Sequence, residues 1–326
     1  RHGHRHRLVG HLAHHLRPDR RQPVAAACAG TGKRHLNVGR VTRSAVDTVL
    51  VTGGSGYLGN QMVAALAARP ETNVVALDLR VPAQCVRGVV YETTDIRDAA
   101  VDAIVARHAP SVVIHLACIV TPGPGSDRAF EYSVDVEGTR NLLQACVHHG
   151  VRRIVVSSSG AAYGYHADNP PWLDEDDALR GNESFAYAWH KRLVEEMLAE
   201  YRRQHPALEQ VVLRIGTILG ETVHNQISAL FERKRLLAVS GSDSPFVFVW
   251  DQDVVGAMLH ALDGPAGVYN LAGDGALTIH EIAARLGKPC RVLPAWLLRS
   301  GLALLKRLHL TQYGPEQVDF LRYRPV

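Results

Sequence analysis

"TVLVTGGSGYLGN", residues 48–60, decides how this chain folds. An apolar, β-branched run enters a cluster of glycines, and the amphipathic "NQMVAALAARP" (60–70) comes at once after it. Gly53, Gly56 and Gly59 fall where a strand must turn sharply, where a pyrophosphate comes close to the backbone, and where a helix packs tightly on a sheet. Glycines can also be plain turn punctuation, but the residues downstream argue for a phosphate loop. The next strand ends in "ALDLR", which puts Asp78 19 residues beyond Gly59. A carboxylate there accepts hydrogen bonds from the adenosine ribose and repels a 2′-phosphate, so NAD is expected over NADP. Arg80, two residues on, keeps NADP open, because an inward guanidinium would tolerate the extra phosphate.

Outward from this stretch, short apolar runs alternate with longer amphipathic ones: "NVVALDL", "AVDAIVARHAP", "SVVIHLA", "GTRNLLQACVHHG", "VRRIVVSSS", "AYAWHKRLVEEMLAEYRRQ" and "QVVLRIG". Strands that are continuously apolar, each followed by a helix, predict an α/β fold: a Rossmann-type, doubly wound parallel sheet with helices on both faces. After about Gly220 the elements shorten, which predicts a smaller C-terminal substrate lobe. The expected division is a tail over 1–45, an NAD-binding domain over 46–220, and a substrate lobe over 221–326 interleaved with it.

Composition narrows the function classes. With 46% apolar residues and no run of about 18 apolar residues, the chain predicts a globular protein without a membrane span. The five cysteines stand far apart with no CxxC spacing, so neither a disulfide framework nor a metal site is indicated, and a cytoplasmic location is expected. The net charge of +4 is uneven: residues 1–45 carry ten Lys and Arg against Asp19 alone, while the remainder has 26 against 31 acids. A basic arm for nucleic acid, a metal-binding histidine cluster and a transit peptide are open readings of that tail. The preferred one is disordered, non-native upstream sequence, with the protein proper starting near Val41 and no nucleic-acid partner expected. "GTGKR" there fails as a phosphate loop, since no glycine stands five positions before Gly32 and Arg34 replaces Ser or Thr.

"YAWHK" places Tyr187 four residues before Lys191 on one helix face, about 6 Å apart. An ammonium beside a phenol favours phenolate and is expected to lower the tyrosine pKa from about 10, readying it for proton exchange with an alcohol or ketone. "VVSSSGAAYG" brings Ser159 to the C-terminal edge of the sheet, where ligands of such folds bind. Ser158 remains the fallback. Tyr163 reads as a packing or substrate-loop residue, and His190, on another part of the helix, is given no catalytic role.

"TGGSGYLG", Asp95 and Ile96, "HLA" from His115, "SSSGAAYG", "YAWHK", "LRIGTILG" and "GVYNLAGDG" occur in an order and spacing that resembles the extended short-chain dehydrogenase/reductases, the NAD-dependent epimerase/dehydratase family. The likeness runs over about residues 47–326, and the chain stops at "RYRPV" where such sequences continue. It implies that Ser159 orients the substrate oxygen, Tyr187 moves the proton, and Lys191 holds the nicotinamide ribose. It also implies cofactor contacts from Gly53, Gly56, Tyr57, Leu58, Gly59, Asp78, Arg80, Asp95, Ile96, Leu116, Ala117, Tyr187 and Lys191, and a homodimer.

Two departures stand out: Asp135 where the family usually has an Asn that supports the lysine through water, and Thr217 where sugar-nucleotide enzymes commonly have Asn. The expected activity is hydride transfer between nicotinamide and a secondary alcohol or ketone of a small-molecule substrate. A nucleotide sugar would find cations in Arg233, Lys234 and Arg235, although these also read as a solvated helix face. An apolar alcohol such as a hydroxysteroid is the alternative. "PAWLLRSGLALLKRLHL" could border its pocket or touch a membrane, and more commonly such a segment packs as a helix of the small lobe. A dinucleotide sensor without turnover is the rival from another class; Asp135 permits it, and the intact Ser159, Tyr187 and Lys191 oppose it.

Overall fold

In the computed structural model the described residues are 47–123, 126–223, 226–243, 245–308, 310–311 and 314–326. The expectations for residues 1–45 lie outside them. The described residues begin with β1 (Asp47–Thr52), α1 (Tyr57–Ala67), β2 (Thr72–Asp78), β3 (Val89–Thr93), α2 (Ala100–His108) and β4 (Val112–His115). Helix α3 (Arg128–Tyr132) runs through a π-helical turn (Ser133–Glu137) into α4 (Gly138–His148). Then come β5 (Arg153–Ser159), a 3₁₀ turn (Gly160–Tyr163), α5 (Ala186–Gln204) and β6 (Glu209–Ile215).

These six strands and β10 (Gly267–Leu271) form one parallel sheet in the order β10-β6-β5-β4-β1-β2-β3. Because successive side chains of a strand point to opposite faces, the apolar runs must be covered on both. Leu50, Val113, Ile154 and Val212 pack beneath α2, α4 and α5 through Val101, Ile104, Leu142, Leu143 and Leu198. Their neighbours Val49, Val51, Ile114, Val155 and Val211 pack on the opposite face against Met62, Val63 and Leu66 of α1 and against Val254 and Met258. That is the doubly wound α/β arrangement, and it points the C-terminal strand ends, with their loops, at one edge.

The smaller part contains β7 (Thr217–Leu219), α6 (Gln226–Glu232), β8 (Leu236–Val239), β9 (Phe248–Trp250) and α7 (Asp251–His260), and, after β10, α8 (Ile279–Arg285), β11 (Cys290–Leu293), α9 (Ala295–Arg307) and α10 (Gln317–Arg322). Strands pair β7 with β9 and β8 with β11, both parallel. Leu219, Phe231, Leu236, Phe246 and Ile282 form its own core. Helix α7 and strand β10 belong to the main sheet by packing and pairing, so the chain crosses between the two parts more than once.

Helix α9 departs from the expectation that it packs as a small-lobe helix. None of its residues is buried, and Trp296 and Leu304 are 68% and 59% exposed. Ion pairs of Arg299 with Asp319 and of Lys306 with Glu316 tie it to α10 and the residue before it, while Leu297, Leu304 and Leu305 are exposed and Leu298 and Leu302 half-buried. No helix among the described residues is long and apolar enough to cross a membrane.

Candidate active site

The β1–α1 loop is built by its glycines. Gly53 has φ +69°, and a Cβ there would lie 2.8 Å from the Ala117 amide nitrogen; one on Gly59 would lie 2.0 Å from the Gly53 oxygen. No L side chain fits either point. Helix α1 begins at Gly56 with no side-chain cap and no acid in its first turn, so its N–H groups and dipole face the loop unopposed. At the end of β2, Asp78 accepts hydrogen bonds from the Ser55 amide (3.0 Å) and the Leu79 amide (2.7 Å), which pins the loop to the neighbouring strand. An open helix N-terminus, a cradle that any Cβ would fill and a carboxylate at the second strand's end fit a dinucleotide.

A cavity of about 630 Å³ runs from this loop across the C-terminal ends of the strands into the smaller part. Gly53, Gly56, Tyr57, Leu58, Gly59 and Leu116 line one end, and Ser159, Tyr187 and Lys191 line its middle. Of the other expected cofactor contacts, Asp78, Arg80, Asp95, Ile96 and Ala117 are not among the lining residues. Ala117 backs Gly53. Arg80 offers its carbonyl to the Ser55 hydroxyl. The Asp95 carboxylate is gripped by Arg97 at 2.9 and 2.6 Å, which holds its pKa below the usual range, and the Ile96 side chain belongs to the core beneath Gly138.

Strand β5 and helix α5 assemble the middle. Ser159 caps the 3₁₀ turn, accepting from the Ala161 amide at 3.2 Å, and its side chain works to lower the pKa of the neighbouring Tyr187 phenol. Ser158 points away: its hydroxyl donates to buried Glu195, which is ion-paired with Arg214 at 2.9 Å. That commitment separates two serines that are indistinguishable in sequence. Tyr163 is a packing residue, its hydroxyl hydrogen-bonded with Asp174 O, Asn270 and Arg214.

Lys191 lies under the Tyr187 ring, Nζ 5.6 Å from its centroid, and donates to the Ser157 carbonyl at 2.7 Å. Burial works against its charge, but Cys118, Tyr187 and Asp135 outweigh burial and lift its pKa above the lysine range. The expected lowering of the Tyr187 pKa is not the net result. Burial pushes this phenol above its ordinary value, and Lys191 offsets only part of the rise. Of the nearby imidazoles, His115 is held between the hydroxyls of Thr52 (2.7 Å) and Thr139 (2.9 Å), and burial drives its pKa down to about 3. It is a neutral structural group.

Val120, Ile218, Val223, Phe246 and Phe320 give the lining an apolar part, beside Thr121, Thr217, Thr222 and Arg324. Its guanidinium stacks 3.5 Å from the Phe246 ring centroid and 4.3 Å from that of Phe320, and burial pulls its pKa down to about 9. Among the described lining residues the charged ones are Lys191 and Arg324. Arg233, Lys234 and Arg235 are exposed and stay outside it. Arg324 went unnoticed in the sequence; the one available signal was an arginine set among aromatics in "FLRYRP".

The NAD dependent epimerase/dehydratase family matches residues 49–272. An uncharacterised Mycobacterium tuberculosis protein is 27% identical over 85% of this chain and 76% of its own length. Mouse UDP-glucose 4-epimerase is 32% identical over 56% of each chain. Among solved structures, Thermus thermophilus UDP-glucose 4-epimerase in complex with NAD is 27% identical with a TM-score of 0.62, over 76% of this chain and 86% of that one. The Brucella ovis UDP-glucose 4-epimerase complex with NAD is 25% identical, TM-score 0.64, over 76% and 86%.

Proposed function

We propose a function from one premise: the chain belongs to the NAD dependent epimerase/dehydratase family. The reading is an NAD-dependent enzyme that moves hydride to or from a secondary alcohol or ketone carbon of an anion-bearing small molecule, with a nucleotide sugar first among candidates. One observation carries it: Ser159, Tyr187 and Lys191 share a cavity whose glycine-loop end suits a dinucleotide and whose lining also includes the Arg324 guanidinium.

When bound, NAD supplies the hydride acceptor, or the donor in its reduced form. Gly53, Gly56 and Gly59 let the pyrophosphate approach the α1 N-terminus, and Asp78 addresses the adenosine ribose. Lys191 carries a fixed positive charge beside the nicotinamide ribose. Ser159 hydrogen-bonds the substrate oxygen, and the Tyr187 hydroxyl gives that oxygen a proton or takes one from it. Arg324 binds the substrate's anionic group through its guanidinium, whose plane is held between Phe246 and Phe320.

Incubation of the purified protein with NAD and UDP-glucose, with sugar products separated chromatographically, tests the reading, since an epimerisation leaves no net absorbance change. The apolar lining favours a second reading, a hydroxysteroid-like alcohol, which would produce reduced nicotinamide. Arg324→Gln separates the two. It is expected to raise KM for a nucleotide sugar about 10- to 100-fold through loss of a charged hydrogen bond, and to leave KM for an uncharged alcohol unchanged. Asp78→Asn is expected to weaken NAD about tenfold and to narrow the preference over NADP, as read by titrating both dinucleotides.

A further inference from the structure

Away from the cavity, three metal-ligating side chains converge where α2 meets α4: Asp102, His148 and His149. Successive side chains on a helix diverge, but α4 ends at His148, and His149 has left helical geometry with φ −101° and ψ 11°. The two rings lie side by side, their centroids 4.4 Å apart and their planes 33° from parallel. Both address one atom. Oδ1 of Asp102, in the first turn of α2, lies 3.0 Å from Nδ1 of His148 and 2.9 Å from Nε2 of His149. The three ligand atoms stand within 4.8 Å of one another.

Zinc takes imidazole nitrogen at about 2.0–2.1 Å and carboxylate oxygen at about 2.0–2.2 Å, so the edges of its coordination tetrahedron measure about 3.3 Å. The two nitrogen–oxygen spacings reach that value by opening a few tenths of an ångström. Hydrogen bonds from the histidines, that from His148 foremost, hold the Asp102 carboxyl below the usual carboxylate range, so it is an ionised acceptor to which each ring donates an N–H. Binding moves each hydrogen to the ring's other nitrogen or to water, and the ion stands where the two hydrogens stood. Two imidazoles and one carboxylate suit borderline ions of the zinc class, whereas Mg²⁺ and Ca²⁺ take oxygen ligands. The His148 side chain is 71% exposed and that of Asp102 46%, so water supplies the remaining position. Cysteine spacing points to no such site, because its ligands come from two helices, 46 and 47 positions apart.

We propose that Asp102, His148 and His149 form a surface site for a zinc-class divalent ion. The ion ties α2 to α4, which pack over one face of the sheet through Val101, Ile104, Leu142 and Leu143.

The test uses the full chain and needs neither NAD nor substrate, so it stands apart from the functional reading. Residues 1–45 hold seven histidines that can take the same ion, so the parent is compared with the double variant His148→Ala, His149→Ala. Equilibrium dialysis against Co²⁺, a zinc stand-in, is expected to show about one ion per chain fewer in the variant. Zn²⁺ at about a hundredfold excess over its Kd is expected to raise the thermal midpoint of the parent about 5 °C more than that of the variant, and Mg²⁺ to raise neither. Asp102→Asn serves for both readouts if the double variant does not fold. Equal Co²⁺ counts in the two proteins would overturn the proposal, as would equal Zn²⁺ shifts or a Mg²⁺ shift that matches that of Zn²⁺.

Discussion

Tyr187→Phe is expected to lower turnover by about 10²- to 10⁴-fold, the usual worth of a positioned proton donor or acceptor, while NAD affinity stays within a few-fold of the parent. Phenylalanine keeps the ring that covers Lys191 and removes only the hydroxyl. The glycine cradle, the open end of α1 and the Lys191–Ser157 bond are untouched. The two outcomes are read separately, by single-turnover assay and by dinucleotide titration. Retained turnover would mean that another group carries the proton. Loss of both would mean that the hydroxyl holds the cleft together and does not serve chemistry.

The direction of the proton is set by the environment of this phenol. A tyrosine whose pKa stands above its ordinary value is protonated throughout the neutral range, so at pH 7 the resting site presents a donor. The step in which Tyr187 acts as a base therefore quickens as pH rises toward that pKa, while the step in which it acts as an acid does not. A pH series on each direction of the reaction reveals this asymmetry in the wild-type protein.

What could be read from sequence was local, and what could not was made by distant residues. The glycine loop, each single strand and the Tyr187–Lys191 face occupy fewer than a dozen consecutive positions, so spacing alone declared them. The choice between Ser158 and Ser159 could not be read, because it is made by Glu195, on a helix 37 positions away. Arg324 reaches the cavity through aromatic partners 78 and four residues distant, Phe246 and Phe320. The downward shift expected for Tyr187 counted a visible charge and left out burial, which no spacing reveals. His190 looked idle as the residue beside a catalytic one. It lies on another side of the helix, as expected, but that side is buried against a carboxylate 55 positions earlier.

The Glu195–Arg214 pair supports the second large expectation. Both side chains are almost wholly buried, at 4% and 6% exposure, and join α5 to β6 directly behind the serine strand end. Arg214 Nε donates to both Glu195 oxygens (3.2 and 3.0 Å), and its Nη1 donates to the Tyr163 hydroxyl (2.7 Å) and the Glu175 carbonyl (3.0 Å). Glu195→Ala strands a guanidinium with no anion and frees the Ser158 hydroxyl, at a cost of about 3–5 kcal/mol. For a domain of this size that is a fall of roughly 10 °C in the thermal midpoint. Removing both charges, as in Glu195→Leu with Arg214→Met, is expected to cost clearly less than Glu195→Ala, because the desolvated charge leaves with its partner. Calorimetry on the single and double variants decides. If the double variant is as unstable as the single, the pair's value lies in its hydrogen bonds to Ser158, Tyr163 and Glu175. A less unstable double variant would show that the cost of Glu195→Ala is the uncompensated guanidinium charge left buried behind the serine strand end.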